Sequence, residues 1–136
     1  MQVYKKILVA MDCSGVDDVI IRHVAALALQ NQAQVHLLHV VHSHTLDQDR
    51  ALHELAETSL RARREALEAQ GVETRMIIKS GEPDEEILKE IEGQGYDLVA
   101  MATHGHTFIG DILFGSVSRT LKHRISIPLL LIGPQR

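Results

Sequence analysis

The sequence predicts an α/β domain built on a parallel sheet with helices on both faces, and three observations carry that expectation. Short apolar runs recur along the chain, too continuous for strands with one wet face. Stretches of helical period separate them. Turn clusters such as Asp12-Cys13-Ser14-Gly15 and Gly81-Glu82-Pro83 mark the joins. Strands that alternate with helices pair in parallel through right-handed crossovers, which places helices on both faces.

The elements follow in order. Ile7 to Met11 is the first buried strand, stopped at Asp12. Residues 17–31 carry Ile20, Val24, Leu27 and Ala28 at helical spacing. Val35 to Val41 reads as the second strand, and residues 42–47 (HSHTLD) as the loosest connection. A long helix is expected from about Asp47 to Gln70, rich in Ala, Leu, Glu and Arg and ended by Gly71. Arg75 to Lys79 is the third strand. After Pro83 comes a helix with acids in its first turn and Ile87, Leu88 and Ile91 facing inward. Asp97 to Met101 is the fourth strand, Ile112 to His123 a helix, and Pro128 to Ile132 the fifth strand.

Composition narrows the function. The chain of 136 residues fits one domain, residues 1–136, and its 45% apolar and 24% charged residues are ordinary for a soluble protein. A net charge of -4 argues against a general nucleic-acid binder. No run approaches the roughly 20 apolar residues that cross a bilayer, so no membrane insertion is expected. Two lysines precede the first apolar run, as in a secretion signal, but the run ends at Asp12 without a small-residue cleavage site. The single cysteine, Cys13, excludes an internal disulfide and fits a reducing cytoplasm.

In a sheet of this kind, ligands bind beyond the carboxyl ends of the strands where the winding reverses. That rule selects Asp12, residues 40–42, Gly81 and the segment from Ala102 to Ser116. The last of these carries glycines at 105, 110 and 115 between an apolar strand and a helix. Bare backbone approaches a phosphate closely, and a helix N-terminus supplies N–H donors, with the Ser116 hydroxyl beside them. Spacing alone leaves a second reading open, in which these glycines only shape a tight loop.

The chain resembles the universal stress protein family over nearly its full length. Residues 7–14 (ILVAMDCS) resemble the family's first strand and acidic turn, and residues 37–41 (LLHVV) its second strand. Gly81-Glu82-Pro83 resembles its third-strand exit. The ATP-binding branch carries G-x2-G-x9-G-(S/T), and Gly105, Gly115 and Ser116 match its last three fixed positions. The first glycine is Ala102 here, whose methyl is expected to approach the ribose or phosphate. Many ATP-binding members have Lys or Arg after the second glycine, where this chain has His106. No Lys or Arg stands between Met101 and Ser118, so backbone donors and a divalent cation must compensate.

The resemblance implies ATP, or ADP or AMP in its place, with Mg2+ accompanying the nucleotide. It assigns Asp12 to the ribose hydroxyls and the backbone at Val40 to the adenine edge. Ala10, Met11, Met101 and Ala102 then surround base and sugar, while Gly105, His106, Gly115, Ser116, Val117 and Ser118 lie along the phosphates. Without the resemblance, Asp12 reads as a helix cap or turn acid and Val40 as core.

Other constellations are weaker. Thr103-His104-Gly105-His106 mimics the (H/T)-x-G-H signature of nucleotidyltransferases, but follows the fourth strand rather than the first. An adenylyl-transferring enzyme is therefore the alternative from another class. His42 and His44 at the second strand's exit, with His53 on the next helix, invite a metal reading, yet read more simply as solvated histidines. Cys13 shows no sign of thiolate activation, and the charges from Arg61 to Glu68 read as a solvated helix face.

We expect the strand order 3-2-1-4-5, with two helices on each face. The expected function is nucleotide binding by a dimeric stress-response sensor that is not an enzyme beyond slow ATP hydrolysis. A nucleotide-free protein acting through dimer and partner surfaces is the alternative that Ala102 favours. The homodimer is expected through residues 128–132, an apolar strand at a sheet edge.

Overall fold

The computed structural model describes residues 3–13, 17–102 and 117–133. Its sheet has five parallel strands in the order expected from sequence: β3 (Thr74–Ser80), β2 (Gln34–Val41), β1 (Lys6–Ala10), β4 (Leu98–Ala102) and β5 (Leu129–Ile132). Three helices connect them, α1 (Asp17–Asn31), α2 (Leu46–Ala69) and α3 (Pro83–Gln94). Residues 117–124 are also helical and form the described part of α4. The beginning of the expected helix at Ile112 lies outside the described residues.

Strand alternation divides the core between two faces. On one, Ile7 and Val9 of β1, Val35 and Leu37 of β2 and Ala100 of β4 pack against Ile20, Val24 and Ala28 of α1 and Leu60 and Leu67 of α2. On the other, Leu8, Ala10, Leu38, Val40, Val99 and Met101 meet Ile87, Leu88 and Ile91 of α3 and Val117 and Leu121 of α4. The inward residues of α3 are those its sequence period selects. The charged stretch of α2 is less uniform than expected. Arg63 is largely covered and its guanidinium lies 3.2 Å from Asp18 of α1, so one of these charges ties two helices together.

Side chains set the sheet's amino-terminal edge. Asp97, one residue before β4, accepts hydrogen bonds from the backbone N–H groups of Lys5 (2.8 Å) and Lys6 (3.0 Å). Asn31, the last residue of α1, accepts from those of Val3 and Tyr4. The Asp97 bonds tie the start of β1 to β4, and the Asn31 bonds tie the chain before it to α1.

A buried polar chain crosses the α3 face. The Tyr96 hydroxyl donates to Glu90 of α3 (2.5 Å) and lies 2.8 Å from His36 Nδ1 of β2. Lys79 of β3 reaches the other oxygen of Glu90 at 3.1 Å. Glu90, Tyr96 and His36 are each under a tenth exposed. Burial, with Glu90 beside it, pushes the Tyr96 phenol far above its ordinary value, so it remains a donor. Breaking this chain leaves buried polar groups short of a partner. Tyr96→Phe is accordingly expected to cost about 1–3 kcal/mol, read from the urea midpoint. An unchanged midpoint would show that the chain adds nothing to stability.

Candidate functional site

The hydrogen-bonded ladder between β1 and β2 ends just where the site begins. The last registered pair is Ala10 with Leu38, and the Met11 N–H still donates to the Leu38 carbonyl at 2.8 Å. The Met11 carbonyl is taken by a side chain, His39 Nδ1, at 2.7 Å. The chain then passes Asp12, which is half-buried, and turns at Cys13 with φ 65°, a left-handed conformation uncommon for any residue but glycine. Asp12 is not the N-cap of α1, which begins five residues later at Asp17.

A narrow slot opens beside this turn. Met11, Asp12, Leu38, His39, Val40, Pro83, Ile87 and Val117 line it. Of the residues assigned from sequence, it gathers Met11, Asp12, Val40 and Val117. Ala10 and Met101 are paired neighbours in β1 and β4, and both are buried on the same face as Val40 and Val117. Ser118 is half-buried beside Val117. Ala102 belongs to the other core, among residues packed against α1 and α2, and is 4% exposed. Its methyl packs among those residues. Gly105, His106, Gly115 and Ser116 lie outside the described residues.

Leu38, His39, Pro83 and Ile87 were not assigned to the site from sequence. Leu38 shares a strand face with Val40, and Ile87 follows Pro83 by one helical turn, so periodicity held a signal for both. His39 carried none, because a histidine inside an apolar strand does not announce what its ring faces.

A second, polar cavity of about 330 Å³ lies over the ends of β2 and β3, lined by His42, Ser43, His44, Asp49, Ser80, Gly81 and Glu82. The expected loose loop is a built turn here. Thr45 caps α2 by accepting the Gln48 N–H at 3.1 Å, and Asp49 accepts from the hydroxyls of Ser43 (3.1 Å) and Ser80 (3.0 Å). His53 Nε2 meets the Ser80 hydroxyl at 2.7 Å, while His42 faces Glu82 at 3.6 Å. His42 and His44 remain exposed, as solvated histidines should. Among the described residues no group of three His, Cys, Asp or Glu could hold a metal ion. Gly81 has φ 143°, and a Cβ there would come within 3.1 Å of Glu86, so this corner requires glycine.

This slot, at the carboxyl ends of the central strands, sits within a chain whose residues 3–133 match the sequence model of the universal stress protein family. The chain belongs to that family. Among curated members, universal stress protein MJ0577 of Methanocaldococcus jannaschii is 28% identical, covering 95% of this chain and 94% of the relative. YxiE of Bacillus subtilis is 26% identical, over 95% and 99%. The solved structure of MJ0577 superposes with a TM-score of 0.85 at 30% identity, covering 98% of this chain and 99% of that one. Two further structures share the fold: a universal stress protein in complex with cAMP (TM-score 0.72, 17% identity, 96% and 98% covered) and one from Archaeoglobus fulgidus in complex with dAMP (0.74, 21%, 96% and 99%). No helix among the described residues of this universal stress protein is long and apolar enough to cross a membrane.

Among the described residues, burial lowers the pKa of two imidazoles, His36 and His39. Burial pushes His39 below its ordinary value of 6.5, against the opposing pull of its Met11 bond and Asp12. Burial also lowers His36, with Lys6 and Arg75 adding to it. The unfolded chain therefore binds more protons than the native one just below pH 6.5. Stability from these groups is full above that pH and erodes as pH falls towards the lowered native values. Urea midpoints are expected to drop between about pH 7.5 and about pH 5, above the carboxylate range. A flat profile would overturn the assignment of neutral, buried rings.

Proposed function

We propose that this universal stress protein binds an adenine nucleotide, with ATP as the working ligand, and acts as a dimeric sensor or regulator in the cytoplasm. One observation carries the reading. Asp12, Val40 and Val117 converge on a slot beyond β1 and β2, beside the β4 exit that leads towards Gly105, Gly115 and Ser116. The slot is apolar along Leu38, Val40, Ile87 and Val117, and Asp12 adds an acid to its lining. That combination suits a base with a diol beside it. The cAMP and dAMP complexes of two fold neighbours support the same ligand class.

The assigned roles follow. The Asp12 carboxylate accepts hydrogen bonds from the ribose hydroxyls, and the Val40 backbone meets the adenine edge. Ala10, Met11, Met101 and Ala102 form the surroundings of base and sugar. Gly105, His106, Gly115, Ser116, Val117 and Ser118 follow the phosphates, with Mg2+ held chiefly by the phosphate oxygens. The function is binding rather than turnover. No Lys or Arg between Met101 and Ser118 offers the cationic stabilisation that phosphoryl transfer uses. One second reading is a nucleotide-free member acting through its surfaces, raised by Ala102 standing where the motif has its first glycine.

Calorimetry separates the two. ATP with magnesium is expected to bind with a dissociation constant of about 1 μM to 10 μM, a free energy near 7–8 kcal/mol. Asp12→Ala is expected to weaken ATP, AMP and adenosine alike, and Gly115→Val to weaken ATP far more than adenosine. No heat and no thermal stabilisation by millimolar ATP, on protein freed of nucleotide, would leave the nucleotide-free reading standing.

The dimer rests on β5. This strand pairs with β4 on one side and forms the sheet's edge on the other, with Leu131 44% exposed. A two-fold axis lets the same edge from each subunit satisfy the other. Light scattering after size exclusion is expected to give about twice the chain mass of 15.1 kDa. Leu131→Lys puts a charge on that edge and is expected to yield a folded monomer. A monomeric parent protein at tens of micromolar would sink the assignment.

A further inference from the structure

The Met11–His39 hydrogen bond joins a β2 side chain to the last backbone group that β1 presents before Asp12. In a continuing parallel ladder, that carbonyl would accept a backbone N–H from β2. Here it accepts from His39 Nδ1 at 2.7 Å, while the Met11 N–H remains on the Leu38 carbonyl at 2.8 Å. Both polar groups of Met11 are thus anchored to β2. The peptide that joins Met11 to Asp12 is planar, so fixing its carbonyl also fixes the direction of the Asp12 N–H. One residue later the chain enters the left-handed turn at Cys13. The position of the Asp12 carboxylate then depends on a backbone plane that His39 holds from the side.

We propose that His39 is a positioning residue of the nucleotide site, acting through the Met11 carbonyl to present Asp12 to the ribose. This rests on the nucleotide reading above and adds the residue that prepares the acid for its ligand. A carbonyl accepts and does not donate, so the bond requires a proton on Nδ1. In the neutral ring this leaves Nε2 as the acceptor. The charged and titratable groups that bear on the ring are Asp12 at the exit of β1 and His53 on α2. A ring protonated on both nitrogens would keep the Met11 bond, so the donor at Nδ1, and not the charge, is the feature the site needs.

Asparagine supplies the test, because its amide nitrogen can stand where Nδ1 stands. Glutamine puts its amide one bond farther out, and leucine has no donor. With AMP as the probe, His39→Leu and His39→Gln are each expected to weaken binding about tenfold or more, and His39→Asn to stay within about threefold. Two substitutions of different polarity keep the result meaningful if one of them folds poorly. A merely structural histidine would weaken AMP whatever stood at position 12. A positioning residue acting through Asp12 would not, so in the Asp12→Ala background His39→Leu is expected to cost less than about twofold. The proposal is overturned if asparagine is as damaging as leucine, if all three variants bind like the parent, or if the losses multiply in the double variant.

Nitrogen-15 spectra of the ligand-free protein test the geometry separately. They are expected to show Nδ1 protonated and Nε2 unprotonated near neutral pH. An Nε2–H tautomer would remove the Met11 bond and the proposal with it. If the tautomer is as expected but the parent protein binds no AMP, the nucleotide reading falls, while the Asp12 amide shift in the leucine and asparagine variants still reports whether His39 holds the turn.

Discussion

The rest of the structure depends on the full enclosure of β1. Ile7, Leu8 and Val9 have no exposed surface, and β1 is hydrogen-bonded to β2 on one side and β4 on the other. A strand buried on both faces must satisfy its backbone within the sheet, because no water reaches it. The chain therefore has to bring one strand to each side of β1. It does so by winding outwards through β2 and β3, then crossing back to place β4 on the opposite flank. The reversal of winding and the slot at its carboxyl end are consequences of that one requirement.

Polar groups then do what apolar burial cannot. Hydrophobic contact is non-directional and would tolerate small slips between strands and helices. Asp97 and Asn31 remove that freedom at the amino-terminal edge by binding specific backbone N–H groups. The Lys79–Glu90–Tyr96–His36 chain does the same across the α3 face. That matters for the site, since α3 contributes Pro83 and Ile87 to the slot. Helix position and site shape are linked through buried hydrogen bonds.

Two neighbouring regions at the sheet's carboxyl end differ in character for a local reason. The slot near β1 lies over the ends of strands whose side chains are apolar, so its lining is mostly aliphatic apart from Asp12 and His39. The cavity over β2 and β3 is bounded by the first turns of α2 and α3, where capping residues and acids collect. Its Ser43, Asp49 and Ser80 bond to one another and, through Ser80, to His53 of α2, which orders the β2–α2 connection. The histidine-rich segment, His42 to His44, sits by the polar cavity.

What the sequence by itself determined is the element plan and part of the slot's lining. Continuous apolar runs specify strands enclosed on both faces, and the spacing of Ile87, Leu88 and Ile91 specifies the inward side of α3. Both are local periodicities that any fold must respect. Asp12 and Val40 were legible as candidates because they lie near the carboxyl ends of strands, where such sheets bind ligands. The tertiary structure alone decided that Pro83 and Ile87 reach the same slot as Asp12, since packing of α3 across the sheet brings them there. It also decided that Arg63 ties α2 to α1, and that the Ala102 methyl joins the core against α1 and α2. Above all it decided the partner of His39. A ring within an apolar strand shows its period but not its partner, and a hydrogen bond to Met11, 28 residues away, exists only once two strands lie side by side.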